Sequence, residues 1–219
     1  MSQIAEFLTI TFIAIVFQNA VMTRGLGSSR EVLLFSSNRK ILWFGGLLTC
    51  YLFFSGLLSW PFYRFLRGSA IGSPRGTLYF YSITTLLCCC AVFAAMFYVT
   101  RAFLPRIHYY FRKMRVLLLL NCAVLGSILV VFRSGETILK SYNFIPASSV
   151  GYTTLVQTLG FCIGSGIGYT AALILVNEGR RRLSLSDVPK AFKGLPATLL
   201  YVGIFSLAIY GLTGHSLPT

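Results

Sequence analysis

The residues best suited to chemistry lie in the stretch Leu120-Asn121-Cys122-Ala123-Val124-Leu125-Gly126, inside a hydrophobic run from Val116 to Phe132. A thiol there adjoins a side-chain amide, where lipid-facing sequence normally supplies only apolar groups. At membrane depth an unsatisfied polar group costs roughly several kcal/mol. Two readings fit. One is a packing cysteine, behaving as a small hydrophobe, beside a helix-capping asparagine. The other is a thiolate ligand for a metal at a break in the helix.

A second interruption occurs near the start of the chain. Gln18 and Asn19 fall where the first apolar run should still be apolar, and Arg24-Gly25-Leu26-Gly27-Ser28-Ser29-Arg30 follows with two glycines. Asn19-Ala20-Val21-Met22 parallels Asn121-Cys122-Ala123-Val124-Leu125, with one copy in each half of the chain.

The elements that must position these residues are membrane helices. The chain is 56% hydrophobic and 11% charged, against about 25% charged in a soluble domain. Six apolar runs approach the roughly 20 residues that a spanning helix needs. They are Ile4 to Thr23, Ile41 to Phe62, Leu78 to Thr100, Val116 to Phe132, Val150 to Val176, and Leu195 to Leu212. No long polar block separates them, so residues 1–219 read as a single transmembrane domain. No basic stretch precedes the first run, which is therefore expected to be retained rather than cleaved.

The expected fold is an all-α integral membrane protein of six transmembrane helices. They form a 3+3 inverted repeat in which helices one and four are broken. An odd number of spans per half makes the halves opposite in orientation, and paired broken helices in inverted halves form sites near the bilayer midplane. Fourteen of the 19 basic residues lie in the first, third and fifth connections. The positive-inside bias makes those connections cytoplasmic and puts both termini outside. The net charge of +14 thus reflects topology rather than nucleic-acid binding.

The remaining features read as structural. None of the six cysteines stands in a C-x-x-C spacing. Cys88-Cys89-Cys90 cannot converge on one ion, because successive helical residues point about 100° apart. Gly160, Gly164 and Gly168, with Gly166 between, leave one helix face bare for close approach of another helix. A glycine-rich nucleotide loop would instead need a preceding strand and a nearby basic residue. Trp43, Trp60, Phe62 and Tyr63 mark the second run as a lipid-facing span with interfacial aromatics. His108 reads as solvated or at the headgroup level. Ser184 to Pro189 reads as a turn or a capped helix start.

Taken together, these pieces resemble the RnfA/NqrE-type membrane subunit of the Rnf and Na+-translocating NADH:quinone oxidoreductase complexes. Four of them carry the likeness, in order along essentially the full chain. The first is Gln18-Asn19-Ala20-Val21 with Leu26-Gly27. Next come Arg101 and Pro105 before Asn121-Cys122-Ala123-Val124-Leu125-Gly126, and then Gly168-Tyr169. The last is Asp187-Val188-Pro189, Phe192 and Gly194, followed by Ser206-Leu207-Ala208 and Gly211-Leu212-Thr213-Gly214.

The resemblance implies a bacterial plasma-membrane subunit paired with a sister RnfE/NqrD-type subunit of opposite topology. It implies a 2Fe-2S or related iron centre shared between the two, with electrons from ferredoxin or NADH and linked Na+ or H+ pumping. Flavin and iron–sulfur subunits complete such a complex. Cys122 matches one family cysteine and is the expected metal ligand. Asn19 and Asn121 are expected to position the ligand loops. The other family cysteine, in a Leu-Gly-x-Cys-Pro motif, falls on Ser29, which Arg30 follows in place of proline. An acidic family residue falls on Phe97. Serine is a harder donor than the thiolates that hold iron–sulfur clusters; Cys162 and Cys50 are the substitutes to consider, though neither lies on a broken helix.

Two other classes of function stay open at this point. One is a scaffold or ion-conducting subunit of the same fold without a cluster. The other is a secondary transporter, which would need an organised polar pocket around Gln18, Asn19, Asn121 and Gln157. The chain carries no nucleophile–base pair or flavin attachment motif of its own, so any catalysis belongs to the complex.

Overall fold

In the computed structural model of the chain the described residues are 3–16, 19–22, 37–68, 74–103, 108, 111–112, 114, 117–119, 121–130, 154–185 and 194–213. All regular structure among them is helical. In chain order the helices are α1 (Gln3–Val16), α2 (Asn38–Gly68), α3 (Pro74–Phe103), α4 (122–130), α5 (Leu155–Leu185) and α6 (Leu195–Thr213). Three stretches are long and apolar enough to cross a membrane: Asn38–Phe65, Ser82–Ala102 and Leu155–Leu183.

The helix starts follow local chemistry. Pro74 opens α3, where its missing N–H costs nothing. Thr154 caps α5: its Oγ1 accepts from the Gln157 N–H at 3.4 Å, and its carbonyl accepts from the Thr158 N–H at 3.1 Å. Gly194, with φ +100°, turns the chain into α6. Three helices extend beyond the apolar runs that announce them. α5 continues through Arg180, Arg181 and Arg182 to Leu185, so Ser184 and Leu185 belong to that helix. Residues 186–193 lie outside the described set.

α5 is the hub. It packs against α1, α2 and α6, and α2 also packs against α3. The glycine stripe does what its spacing predicts, and the helix it admits is α1. A Cβ on Gly164 would stand 2.5 Å from the Thr11 carbonyl oxygen, and one on Gly168 would stand 3.0 Å from that of Ile15. The Thr11 hydroxyl donates across the same seam to the Gly160 carbonyl at 3.2 Å. Gly166 turns the other way, towards Thr49 of α2.

α2 departs from the expected lipid-facing span. Trp43 and Phe62 are exposed near its ends, but Phe44, Leu48, Tyr51 and Leu52 are core residues. The cause is its own glycines: Gly45 and Gly56 let α2 approach Thr170 and Cys162 of α5. At one end Asn177 Nδ2 donates to Asn38 Oδ1 at 2.6 Å. That contact brings the start of α2 to the end of α5. Arg39, Lys40, Arg180, Arg181 and Arg182 therefore gather at one end of the bundle.

Candidate functional site

A non-helical residue or turn stands at each asparagine, and each is held by that side chain. The first helix stops at Val16, and Asn19–Met22 form a turn rather than helix. Asn19 Oδ1 accepts from the N–H groups of Val21 at 3.0 Å and Met22 at 3.4 Å. Residues 117–119 are helical, Asn121 is not, and the helix resumes at Cys122 as α4. Asn121 Oδ1 accepts from the Ala123 N–H at 2.8 Å, while its carbonyl accepts from Val124 at 3.1 Å. Asparagine suits both positions because its short amide satisfies N–H groups that a turn or a starting helix leaves orphaned.

The amide nitrogens tie both breaks to the same turn of α5. Asn19 Nδ2 donates to the Gly168 carbonyl at 2.8 Å, and Asn121 Nδ2 donates to the Tyr169 hydroxyl at 3.4 Å. Asn19, Ala20, Val21, Met22, Asn121, Ala123 and Val124 are all buried. That is the condition under which non-helical backbone survives at membrane depth. Below this point α4 and α5 stay joined by Ser127 and Ser165, whose hydroxyls are 2.7 Å apart. Neither Tyr169 nor this serine pair stood out in the sequence as site-building. Their signal is a hydroxyl inside each of two apolar runs.

Cys122 differs from its neighbours. Asn121 and Ala123 on either side are buried, whereas Cys122 is exposed. Its thiol is therefore carried out of the fold at the first residue of α4. Ser29 lies outside the described residues. Among the described residues no three His, Cys, Asp or Glu side chains come together to hold a metal. Cys162 is fully buried, with its Sγ 2.6 Å from where a Cβ on Gly56 would be, and Cys50 is exposed on α2. Neither lies in a break. Cys88 and Cys89 are buried and Cys90 is exposed, so the three diverge as their spacing requires.

Three further positions are resolved. Phe97 sits in an aromatic group, its ring centroid 5.1 Å from His108 and 6.2 Å from Phe111. His108 is accordingly half-buried against α3 rather than solvated. Gln157 is buried on α5, and Gln18 lies outside the described residues. Asn19 and Asn121 direct both ends of their amides to the chain itself, which is the behaviour of caps rather than of a substrate pocket.

Replacing Asn121 with alanine removes a cap and strands the Ala123 N–H. The expected loss is about 1–3 kcal/mol, read as a lower thermal midpoint of the purified protein. Amide exchange at residues 121–130 should accelerate, while α1 stays protected.

The fold and these turns define a class: a membrane protein, helical in the regular structure of its described residues, in which a central helix holds two asparagine-built turns. The chain belongs to the Rnf-Nqr membrane subunit family, whose model, described as Rnf-Nqr subunit, membrane protein, matches residues 7–216. It is 25% identical over 210 residues to the A-type subunit of a proton-translocating ferredoxin:NAD+ oxidoreductase complex from Clostridium ljungdahlii, covering 96% of this chain and 97% of that one. Over 148 residues it is 30% identical to the A-type subunit of a Na+-translocating ferredoxin:NAD+ oxidoreductase complex from Acetobacterium woodii, covering 68% of each chain. The corresponding A-type subunit of an ion-translocating oxidoreductase complex from Aliivibrio fischeri is 27% identical over 150 residues, covering 68% of this chain and 69% of that one.

Proposed function

We propose that this chain is the A-type membrane subunit of an ion-translocating, ferredoxin- or NADH-linked electron-transport complex. In this reading Cys122 supplies a thiolate to an iron–sulfur centre shared with a sister subunit of opposite topology. The observation that carries it is Cys122 itself: an exposed thiol at the start of α4, between buried neighbours, at a built break in the helix. An exposed thiol at membrane depth faces lipid or another protein. The relatives, each one subunit of a larger complex, favour protein.

Cys122 offers one thiolate to a shared site, and the remaining ligands of such a centre would come from other residues. When bound, an iron–sulfur centre supplies a one-electron carrier at membrane depth. This chain's own residues do the positioning. Asn121 fixes the turn that presents Cys122, Asn19 fixes the matching turn after α1, and the glycine stripe seats α1 against α5. Ser29, in place of a second thiol, makes this half-site asymmetric.

In the same reading six spans cross the plasma membrane as an inverted repeat within one domain, with both termini outside. The lengths support it. α1, of 14 residues, reaches only about 21 Å against a hydrocarbon core of about 30 Å. The buried turn at Asn19–Met22 takes the chain further. The basic ends of α2 and α5 share one face, as the positive-inside bias demands of a cytoplasmic side.

Iron and acid-labile sulfide in the anaerobically purified complex test the proposal. Stoichiometric iron that disappears with Cys122 supports it. A clean absence of iron in the wild-type complex rejects it and favours a cluster-less scaffold of the same fold.

A further inference from the structure

We infer that Tyr169 is a positioning residue for Cys122: its phenol tethers the α4 break to α5, independently of the α1 break. The inference deepens the reading of Cys122 as a ligand and depends on it.

The two breaks are secured at adjacent residues by different chemistry. At the first, Asn19 Nδ2 donates to a backbone carbonyl, that of Gly168, and also to that of Ile15 at 3.2 Å. No side chain of α5 is needed there. Indeed a side chain at residue 168 would crowd it, since a Cβ would stand 3.1 Å from Asn19 Nδ2. At the second, Asn121 Nδ2 donates to a side chain, the Tyr169 hydroxyl. That ring is fully buried and packs against Phe44 of α2, with centroids 6.5 Å apart. A buried aromatic wedged between helices has little rotational freedom, so its hydroxyl is a fixed acceptor.

The consequence reaches the thiol through the backbone. Asn121 Oδ1 holds the Ala123 N–H, and its carbonyl holds Val124 and, at 3.5 Å, Leu125. Cys122 is the residue enclosed by these bonds. The amide oxygen can cap the turn only while the amide plane is held, and the Tyr169 tether holds that plane from the other side. Residue 169 thereby controls the orientation of Cys122 without touching it, and it leaves the α1 break alone.

The test uses the full chain in its assembled complex with two variants. Tyr169→Phe removes the hydroxyl and keeps the ring. Asn121→Ser keeps a capping oxygen and removes the amide donor. Hydrogen exchange followed by mass spectrometry should show several-fold faster exchange in the peptide covering residues 121–125 for either variant. The double variant should add nothing, and residues 19–22 should be unchanged. In the same preparations the midpoint potential or the electron paramagnetic resonance line shape of the iron–sulfur signal should shift, with iron content retained. Unchanged exchange at 121–125, or equal acceleration at both breaks, overturns the tether. Accelerated exchange with an unmoved potential and line shape overturns the positioning role. Absence of iron from the wild-type complex overturns the ligand reading instead, and with it the positioning role. The exchange arm still decides the tether.

Discussion

Truncating Cys122 to alanine should abolish the iron–sulfur signal and electron transfer of the assembled complex while leaving insertion and assembly intact. The separation of those two effects follows from where the residue sits. Cys122 is exposed and outside the core cluster, and exposed positions tolerate truncation within about 0.5 kcal/mol. The cap belongs to Asn121, which the substitution leaves in place. Loss of a thiolate, in contrast, removes a ligand that an iron–sulfur centre needs. Cys122→Ser should give an intermediate result, since a hydroxyl is a harder donor than a thiolate. Cys50 and Cys90 are also exposed and provide internal controls, whose alanine variants should keep full signal. Iron and sulfide per complex, with electron paramagnetic resonance of the reduced sample, measure all four variants. Normal spectra from Cys122→Ala would remove the role assigned to this residue.

What the sequence revealed, and what it hid, divides along the range of each interaction. The breaks were legible because an asparagine inside an apolar run is a local anomaly with few structural outlets. Asn19 closes a turn with its amide oxygen, and Asn121 caps α4. The glycine stripe was legible because a four-residue spacing fixes a helix face. It did not say which helix would use that face, since the contact between Gly164 and Thr11 joins residues far apart in the chain. The same limit hid the partner of Tyr169, though Gly168-Tyr169 is among the residues that carry the resemblance. One tyrosine in a glycine-rich helix carries no periodicity, and its role appears only when α4 is set beside α5. α2 was misjudged for a related reason. Trp43 and Phe62 do sit exposed, as at an interface, but Gly45 and Gly56 make its middle a packing surface. A reading by aromatic flanks alone gives them no weight. The apolar runs also ended too early for α2 and α5, because a helix does not have to stop at the membrane surface.

Gly164→Val should be the most damaging single substitution along the glycine stripe, and its reach should extend to the site. A Cβ there would stand 2.5 Å from the Thr11 carbonyl oxygen, 3.1 Å from Thr11 Cα and 2.7 Å from Ala14 Cβ. Backbone atoms cannot rotate aside, so α1 itself must move. Overpacking of this kind costs about 1–3 kcal/mol in a well-packed core. Among the described helices α5 is the main partner of α1. Displacing α1 therefore pulls on the Thr11–Gly160 and Asn19–Gly168 hydrogen bonds together, and the first break loses its anchor. Two other glycines calibrate the effect. At Gly56 the nearest atom to an added Cβ is Cys162 Sγ, the end of a single side chain, so Gly56→Ala should cost less. At Gly203 nothing lies within 4 Å, and Gly203→Ala should be neutral or stabilising by up to about 1 kcal/mol through helix propensity. Thermal unfolding of the three purified variants should rank them in that order, with Gly164→Val alone also accelerating amide exchange at residues 19–22. If Gly164→Val matches Gly203→Ala in stability, then α1 is not seated on this stripe, and the account of the first break fails with it.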